Sequence, residues 1–554
     1  MREHPKRKAA LLAALIVAAT AAAYAPVLEA GFIWDDDDYV TENPLLPAPG
    51  GLRRIWLSMD APSQYFPLVY TTFRIEYALW GLNPYGYHLV NVLLHAVNVL
   101  LVWWALRRLG APGAWFAAAI FALHPVHVES VAWITERKNV LSLFFFLTSL
   151  LAWMRFSEPG AGAKRRFYAT SLTCYALALF SKTTACTLPA AQLVVLWLRG
   201  ERIRLRRVAQ LVPFLLLGFL MGLVAIFWEH FHQGTVGDRF SLSFVESVLV
   251  ATRAVWFYLG KLAWPAQLAF SYPKFEIDPH DPAQYAWLVA GGALLWALWH
   301  WRQRIGRAPL AAAVFFVAML SPMLGFIPLF TFFYTFVADH YQYAASIGPI
   351  ALFAAGGARL LEGRGAGGRR LVRAAAALLL LALGALTWQQ THIYENQETL
   401  WRDTIAKHPR SWMAHTNLGR ELLHKGRLEE SIAAYREALA IRSDLYRPHH
   451  GIAVALMWLD RDEEAIENFE IVLQRRPNFV PTHRYYGALR WERGEIEKAM
   501  LHYRALIEFD PRSPRGYRLM RRALHHLGRH QEAEEYGRKA RALAPEIPAV
   551  RPEG

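Results

Sequence analysis

Four consecutive aspartates, Asp35 to Asp38, directly follow the first long apolar segment of the chain. Such a run is usually a solvated stretch that ends a helix, because aspartate has a low helix propensity and competes for backbone hydrogen bonds. This run is flanked by apolar and aromatic side chains, namely Phe32, Ile33, Trp34 and Tyr39. Neighbours of this kind hold carboxylates at an interface and raise a carboxyl pKa toward the range that suits general base catalysis.

A second polar motif, His124 to Asn139, stands at the end of the third apolar run. It contains histidine, glutamate, arginine and lysine at a depth where polar groups are costly in a membrane and are usually functional. Its cations can hold a phosphate, while a glutamate orients a hydroxyl or a histidine ring. The candidate substrate-binding residues of this motif are His124, His127, Glu129, Arg137 and Lys138.

Metal binding in this second motif is disfavoured. Spacings of three and two residues between His124, His127 and Glu129 do not place three ligands on one face of a helix. The aspartate run is different, since it offers the oxygen ligands that Mg²⁺ and Mn²⁺ prefer.

Two shorter motifs fall on the same side of the membrane by the order of apolar runs given below. Lys182 either extends its ammonium group to the interface or acts as a second phosphate ligand, and the sequence favours neither alternative. After the ninth apolar run come Asp339, His340 and Tyr341. Four separated polar motifs thus converge on one face, whereas the loops of the other face offer little besides arginine. This convergence predicts an outward-facing active site.

The composition indicates a chain in two parts. Of its 554 residues, 54% are hydrophobic and 19% are charged, which is too apolar for a simple soluble protein and too charged for one lying wholly in a membrane. The formal net charge of +15 is spread along the chain, so nucleic acid is not expected as a partner. Cys174 and Cys186 lie inside apolar runs and are interpreted as small buried hydrophobic residues.

Long apolar runs predict a polytopic membrane domain over residues 1–390. About eleven runs are long enough to span, at roughly 9–28, 88–106, 114–132, 138–154, 167–181, 183–198, 208–228, 284–301, 309–330, 342–360 and 371–390. We interpret the first run as an uncleaved anchor, because it is longer than the core of a signal peptide. The segment from Phe244 to Trp264 is also apolar, but Arg253 and Lys261 interrupt it. We therefore interpret it as an interfacial or re-entrant helix.

Positive charge orients these predicted spans. If the N-terminus is cytoplasmic, the cytoplasmic segments carry 23 Lys and Arg, and the opposite face, before the C-terminal region, carries 10. This distribution follows the positive-inside rule. We therefore predict that the polar motifs and the C-terminal region lie outside the cytoplasm. The alanine- and arginine-rich composition favours a bacterial inner membrane, with the C-terminal region in the periplasm.

The C-terminal region carries a 34-residue repeat, which is a specific signal for tetratricopeptide repeats. Written in register, the repeats begin at Trp412, Tyr446, Val480 and Pro514. The small residue of the second helix then falls at Ser431, Ala465, Ala499 and Ala533. We predict a connecting half repeat at 391–411, four repeats within 412–545 (about 412–445, 446–479, 480–513 and 514–547) and a tail at 548–554. Such an array forms a solenoid whose concave face binds peptide or protein.

Four arginines recur at helical spacing in the last repeat, at Arg515, Arg518, Arg521 and Arg522. A solvated helix face is the simpler interpretation of this pattern. The alternative is contact with anionic lipid headgroups or with an acidic partner.

Taken together, the motifs resemble those of the GT-C glycosyltransferases that use polyprenyl-phosphate sugars. The likeness is closest to the transmembrane and tetratricopeptide-repeat O-mannosyltransferases. Their Phe-x-x-Asp-Asp pattern with a later Asn is matched by Phe32, Asp35, Asp36 and Asn43. Their His-Pro-x-His-x-Glu pattern with a later Arg is matched by His124, Pro125, His127, Glu129 and Arg137. The chain departs from these patterns at Asp37 and Asp38, at Lys138 and Asn139, and in the loosely matching segment from Val337 to Tyr343.

The resemblance implies an all-α enzyme with a polytopic helix bundle and a soluble repeat solenoid. Such an enzyme transfers mannose or another hexose, with inversion, from a polyprenyl-phosphate donor to a Ser or Thr hydroxyl of an extracytoplasmic polypeptide bound by the repeats. Asp35 or Asp36 would be catalytic, and a cation such as Arg137, Lys138 or Lys182 would stabilise the departing phosphate. The implied substrate-binding residues are Asn43, His124, His127, Glu129, Arg137, Lys138, Lys182, Asp339, His340 and Tyr341.

The expected partners are the lipid-linked sugar, the polypeptide and membrane lipids. A monophosphate leaving group needs less neutralisation than a nucleotide diphosphate, so we expect no obligatory cofactor. A divalent cation, Mg or Mn, remains a candidate ligand of Asp35–Asp38.

Three other functions fit parts of the pattern. The sugar acceptor could be a lipid or a glycan of the cell envelope instead of a protein. The chain could be a non-catalytic scaffold that anchors the repeats in the membrane. A transporter or flippase of lipid-linked glycans would place charges along the centres of the spans, whereas here they gather at one face.

Overall fold

The computed structural model describes residues 5–58, 64–158, 163–202, 204–235, 242–362 and 364–543. Over these ranges the regular structure is helical, without a β-strand. The chain divides into two compact units, Met1–His408 and Pro409–Gly554. The predicted all-α class, with tetratricopeptide repeats in the C-terminal part, is confirmed.

The first unit contains seventeen α-helices within the described ranges. The first nine are α1 (Pro5–Ala23), α2 (Gly51–Leu57), α3 (Pro67–Trp80), α4 (Pro84–Arg108), α5 (Ala114–Leu123), α6 (Val128–Ala132), α7 (Arg137–Ser157), α8 (Lys164–Ser181) and α9 (Leu188–Leu198). The others are α10 (Leu205–Phe231), α11 (Phe244–Ala263), α12 (Ala286–His300), α13 (Arg302–Ile305), α14 (Ala308–Leu320), α15 (Ile347–Arg359), α16 (Ala366–Thr391) and α17 (Gln397–Lys407).

Four helical segments of this unit are long and apolar enough to cross a membrane, namely Pro84–Arg108, Ile134–Ser157, Leu205–Phe231 and Ala366–Tyr394. A fifth candidate is the pair Ala114–Leu123 and Pro125–Ala132, which bends by 57° at its break. Thr183–Leu198 and Ala308–Met323 are apolar but shorter than the roughly 20 residues that a span requires. The predicted count of about eleven spans is therefore not confirmed in the part of the chain that the structure describes.

The break after α5 positions the polar motif. Pro125 lacks the N–H that would continue the helix, and the residue before a proline is driven into an extended conformation. His124 accordingly has φ −79° and ψ 122°. The chain then forms two 3-10 turns, Pro125–His127 and Ile134–Glu136, on either side of the short helix α6. Polar side chains of the motif therefore lie on short segments and at a helix start, where other segments can reach them.

The aspartate run turns sharply after Trp34, whose backbone is left-handed with φ 50°. This conformation is unfavourable for a bulky side chain and persists only where the surroundings impose it. Three rings pack edge-on against the indole at centroid distances of 5.1 to 6.3 Å, those of Phe270, Tyr334 and Trp401. A π-helical turn follows at Asp37–Thr41. As a result, Asp36 faces the interior and Asp38 faces outward.

The second unit is built of four helix pairs. Its helices are α18 (Trp412–His424), α19 (Leu428–Ile441), α20 (Tyr446–Trp458), α21 (Asp462–Arg475), α22 (Val480–Glu492), α23 (Ile496–Phe509), α24 (Pro514–His526) and α25 (His530–Leu543). The first helix of each pair begins at a residue from which the 34-residue period was written. The predicted tail, 548–554, and the end of the fourth repeat lie outside the described residues.

Close packing within each pair explains the small residues of the repeat. Ser431, Ala465, Ala499 and Ala533 are fully buried on the second helices. The ring of Tyr435 fills the space beside two glycines: a Cβ atom added to Gly451 would lie 2.2 Å from that ring, and one added to Gly419 would lie 2.8 Å from it. The ring of Tyr435 can therefore occupy this space only because residues 419 and 451 are both glycines.

We expect Gly451→Ala to lower the free energy of unfolding of the array by about 1–3 kcal/mol, because the new methyl group overlaps a buried ring that has little room to move. Thermal unfolding of the full chain in detergent, followed by circular dichroism, measures the effect. Gly356→Ala in α15 is the matched control, since a Cβ atom there meets nothing within 4 Å. Equal melting behaviour of both variants would contradict the packing described.

Candidate functional site

Asp36 ties the aspartate run to the last part of the second polar motif. Its Oδ1 accepts hydrogen bonds from the backbone N–H of Thr135 at 2.8 Å and from the Thr135 hydroxyl at 2.6 Å. Its Oδ2 accepts from the N–H of Ile33 at 2.9 Å. The side chain is fully buried. Both carboxylate oxygens of Asp36 are thus engaged in holding two segments together.

Burial raises the pKa of Asp36 to about 7, and the hydrogen bonds from Thr135 and Ile33 oppose this rise. The nearby charge of Asp35 raises the Asp36 pKa further. Asp35 itself is half-buried, and its charge interacts favourably with that of Lys138. Of the two predicted catalytic residues, Asp35 is therefore the more accessible, and its charge acts on Lys138.

A fully buried carboxylate, Glu136, lies at the centre of the site. Its Oε1 lies 2.9 Å from Nζ of Lys138, and its Oε2 lies 3.3 Å from Nζ of Lys182. Asn139 donates to Oε2 at 2.5 Å and accepts from Nζ of Lys182 at 2.7 Å. The Lys138 ammonium also lies 5.4 Å from each of two ring centroids, those of Tyr39 and Trp133. The buried glutamate thus draws two lysines from different segments together.

His340 bridges this carboxylate and a second one. Its Nδ1 lies 3.0 Å from Oε1 of Glu129, and its Nε2 lies 3.7 Å from Oε1 of Glu136. The backbone N–H of His340 donates to Oε2 of Glu129 at 2.9 Å, and its carbonyl accepts from Asn139 at 3.0 Å. Glu129 therefore holds the backbone of His340 and lies beside its ring.

Arg137 lies in a separate buried cluster. Its guanidinium pairs with Glu76 of α3 and also donates to the carbonyl of Tyr87 at 2.9 Å and to the side chain of Asn91. The side chain has no solvent exposure and does not line the cavity described below. The structure therefore places Arg137 apart from the other predicted phosphate ligands. From its position at the start of α7, its contacts join α7 to α3 and α4.

The two histidines of the motif bind mainly backbone atoms. Nε2 of His124 lies 3.0 Å from the carbonyl oxygen of Leu262. His127 contacts the carbonyl oxygen of Phe121 at 2.8 Å and the hydroxyl of Ser346 at 2.9 Å. Both rings are buried at the break between α5 and α6. Their contacts stabilise the bend, and neither ring lines the cavity.

Two other predicted residues are also held by local contacts. Asn43 closes the turn after the aspartate run, since it donates to the carbonyl of Tyr39 at 3.1 Å and accepts from the N–H of Leu45 at 3.0 Å. Asp339 is buried and accepts from the hydroxyl of Tyr272 at 2.9 Å. Burial, together with the charge of Glu129, raises the pKa of Asp339 well above its usual value.

A cavity of about 160 Å³ opens beside the cluster around Glu136. Four predicted site residues line its polar end, which are Lys138, Lys182, His340 and Tyr341. Its apolar wall comes chiefly from α10 and from the segment after α14, including Gly222, Val224, Ile226, Met323, Ile327 and Leu329. A chamber with cations at one end and an apolar wall suits a ligand that joins an anionic group to a hydrocarbon chain.

The cavity also contains polar residues that the sequence patterns did not single out. Glu229, near the end of α10, accepts from the N–H of Phe330 at 2.9 Å and from the amide of Gln64 at 3.1 Å. Glu229 and Gln64 line the cavity together with Tyr65. The isolated carboxylate at the end of a 27-residue apolar helix was the available signal for Glu229. Glu136 could have been found from its place immediately before the two cations of the second motif.

Within the described ranges, no three His, Cys, Asp or Glu side chains are grouped so that they could hold a metal ion. At the candidate cation site, Asp35–Asp38, the oxygens of Asp36 are directed to N–H and O–H donors, as described above. Asp38 points outward. These residues therefore do not fit a preformed Mg or Mn site.

The fold and the cavity define a helical membrane protein with a charged pocket in its first unit and a tetratricopeptide array in its second. The family model described as tetratricopeptide repeat matches residues 398–445. Protein O-mannosyl-transferase Tmtc3 of Drosophila melanogaster is 23% identical to this chain, covering 83% of it and 58% of the relative. Protein O-mannosyl-transferase TMTC1 of Homo sapiens is 26% identical, covering 81% and 57%.

A shorter alignment has a higher sequence identity. Protein O-mannosyl-transferase TMTC2 of Mus musculus is 38% identical over 145 residues, covering 24% of this chain and 17% of the relative. The two long alignments cover more residues than the first unit contains, so they extend into the array. The resemblance to the transmembrane and tetratricopeptide-repeat O-mannosyltransferases is therefore confirmed. The chain spans a little more than half the length of the first of these relatives.

We expect Thr135→Val to lower the free energy of unfolding by about 1–3 kcal/mol at pH 8, because buried Asp36 loses a donor. Since the folded-state pKa of Asp36 is raised to about 7, its contribution to stability is greatest below about pH 4 and falls as the pH rises through 7. The Thr135 hydroxyl lowers that pKa, so in the variant the fall should continue to higher pH.

The measurement is thermal unfolding in detergent between pH 5 and pH 9. The deficit of the variant should be smaller at pH 5 than at pH 8. Thr187→Val is the matched control, because the Thr187 hydroxyl donates to a carbonyl and to a thioether sulfur and contacts no carboxylate. A deficit of equal size at every pH would show that Thr135 acts only through packing.

Proposed function

We propose that this chain is a membrane glycosyltransferase that moves a hexose, with mannose as the first choice, from a polyprenyl-phosphate donor to a Ser or Thr hydroxyl of a polypeptide. The O-mannosyl-transferase names of the relatives support the choice of reaction and sugar. The observation that carries the proposal is the cavity, because cations drawn together by Glu136 stand at the end of an apolar wall.

The two lysines are suited to the phosphate of the donor. Each ammonium group has three N–H donors, and its contacts with Glu136 and Asn139 leave donors for a ligand. Glu136 keeps the two positive charges close together without a ligand, so the site is preorganised for an anion. His340 lines the same end and offers a further polar contact. The lipid chain of the donor would lie along the apolar residues of α10.

Asp35 is the proposed catalytic base. Asp36 is less suited to that role, because three N–H and O–H groups already occupy its two oxygens in the buried contact with Thr135 and Ile33. Asp35 precedes it in the same turn, is half-buried, and interacts with the charge of Lys138 of the cavity, although Asp35 is not itself one of the cavity-lining residues. Asp36 then acts as a positioning residue that fixes the turn on which Asp35 stands.

The proposed reaction is a single displacement. The acceptor hydroxyl oxygen attacks the anomeric carbon while its proton passes to the carboxylate of Asp35. The bond from that carbon to the phosphate oxygen breaks, and the lipid monophosphate leaves with its negative charge facing Lys138 and Lys182. Stabilising charge that develops on a leaving group is the largest contribution that a fixed site of this kind makes. Attack opposite the leaving group inverts the anomeric configuration.

The membrane orientation is part of the proposal. The excess of Lys and Arg on one set of loops supports a cytoplasmic N-terminus, with the aspartate run and the repeats outside. On this arrangement the protein lies in a bacterial inner membrane and glycosylates polypeptides in the periplasm. The repeats recruit the acceptor, and the first unit carries out the chemistry.

We expect Asp35→Asn to lower sugar transfer at least about 100-fold, which is the usual contribution of a general base. The assay uses protein reconstituted in liposomes, radiolabelled polyprenyl-phosphate hexoses and an extract of extracytoplasmic proteins. Glu42→Gln is the matched control, an exposed carboxylate of the same loop.

Label that moves to lipid or glycan would change the proposed acceptor, and no turnover with any donor would favour the non-catalytic scaffold. Full activity of Asp35→Asn would remove Asp35 as the base.

We expect Lys182→Met to lower kcat by about 10²-fold, because the departing phosphate loses one of its two fixed cations. The same reconstituted assay, run over a range of donor concentrations, separates kcat from KM. Lys164→Met is the matched control, since Lys164 is exposed at the start of α8, away from the cavity residues. A change in KM alone would mean that Lys182 binds the donor equally in the ground state and the transition state.

A further inference from the structure

Positive and negative charges are distributed unequally between the two helices of each repeat. In the last three repeats the first helices, α20, α22 and α24, carry seven Arg and one acidic residue. The second helices, α21, α23 and α25, carry six Lys and Arg and ten acidic residues. Since the first helices of successive repeats stack on one another in such an array, one side of the solenoid is basic.

The positive charge is concentrated on α24, the first helix of the last repeat. This helix contains no acidic residue, and its four arginines, Arg515, Arg518, Arg521 and Arg522, are all exposed. In the described part of the chain, none of the four forms an ion pair with a carboxylate. Arginines at the start of second helices behave differently, since Arg461 pairs with Glu464 and Arg529 pairs with Glu532. Within the described residues the four arginines of α24 thus differ from Arg461 and Arg529, whose charges are paired with a nearby carboxylate.

The basic side continues into the preceding repeat. Arg484 of α22 occupies the same register position as Arg518, 34 residues earlier, and it too has no ion pair within the described ranges. The guanidinium of Arg522 lies 4.8 Å from the ring centroid of Trp491 in α22, and the His526 ring lies 5.3 Å from the same indole. We call Arg484, Arg515, Arg518, Arg521 and Arg522 the basic face. The basic face crosses two repeats and lies beside the aromatic ring of Trp491.

Gly537 departs from the repeat pattern and leaves space for the side chain of Arg521 in the basic face. The second helices of the first three repeats carry a buried aromatic residue, Tyr435, Phe469 or Tyr503, where the fourth has Gly537. A Cβ atom added to Gly537 would lie 3.0 Å from Cδ of Arg521. The stem of Arg521 thus packs against Gly537, and a larger residue there would push that stem by a few tenths of an ångström. At this position the last repeat lacks the aromatic side chain of the other repeats, and the stem of Arg521 packs there instead.

We propose that the basic face is a docking surface for an acidic polypeptide segment. A row of four cations along α24, continued by Arg484 on α22 and with an aromatic ring beside it, matches an extended chain bearing Asp and Glu side chains. This inference deepens the proposed function, since it rests on recruitment of a polypeptide by the repeats and specifies the acidic character of the segment that they bind. Binding needs no donor and no chemistry, so it can be tested independently of sugar transfer.

The test uses the full chain in phosphatidylcholine nanodiscs and a fluorescein-labelled 20-residue peptide of alternating Asp, Glu and Ser, followed by fluorescence anisotropy. The triple variant Arg515→Gln, Arg518→Gln, Arg522→Gln should weaken binding at least about tenfold, because the three positive charges that it removes contact the peptide directly in the proposed complex. Raising NaCl from 50 to 300 mM should weaken binding to the unmodified chain by a similar factor, since exposed charges are screened.

The matched control removes the same number of charges from the second helices, as Lys498→Gln, Arg504→Gln, Lys539→Gln, and should change the affinity less than about twofold. Equal loss in both triple variants would mean that net charge alone attracts the peptide, and would overturn the proposal. Failure of the unmodified chain to bind at 50 mM NaCl would overturn it as well. Capture of vesicles containing 30% phosphatidylglycerol, without capture of the peptide, would assign the face to lipid. Failure of sugar transfer with intact peptide binding would refute only the proposed function.

Discussion

The arrangement of the site depends on one buried carboxylate, that of Glu136, which requires positively charged side chains beside it. Glu136 has no exposure to solvent, and a charge in such a place is stable only when it is paired and hydrogen-bonded. Removing one partner from a buried ion pair typically costs about 3–5 kcal/mol. Lys138, Lys182 and Asn139 are therefore constrained by the same requirement. A carboxylate that contacts no substrate in the proposed reaction thus determines where its phosphate ligands stand.

Some of this arrangement could be predicted from the sequence. The 34-residue period identifies the helix starts of the array, because the small buried residues must recur wherever two helices pack closely. Four polar motifs at the ends of apolar runs were expected to converge, and three of them supply Lys138, Lys182, His340 and Tyr341 to one cavity. Intramembrane polar residues are costly enough that their grouping is informative even without a structure.

The rest required tertiary information. Arg137 has the charge of a phosphate ligand, yet its direction depends on Glu76, which comes from a helix about 60 residues earlier. The different burial of Asp35 and Asp36 follows the turn at Trp34, whose backbone is left-handed, and no propensity scale assigns that conformation to tryptophan. His124 and His127 bind backbone carbonyls, which a sequence pattern cannot reveal. The predicted count of spans is not confirmed, because some apolar runs form helices shorter than a span, such as Thr183–Leu198 and Ala308–Met323.

The assembly of the site has a consequence for the order of events during synthesis. Glu129 and His340 are 211 residues apart in the chain, and the carbonyl that accepts from Asn139 is also that of His340. A ribosome makes both glutamates long before it makes the histidine that bridges them. Until His340 is made, Glu129 lacks the backbone N–H donor that it has in the full chain, and Asn139 lacks one of its acceptors. A product truncated before residue 339 would retain the aspartate run and both lysines but would lack the histidine that closes the pocket.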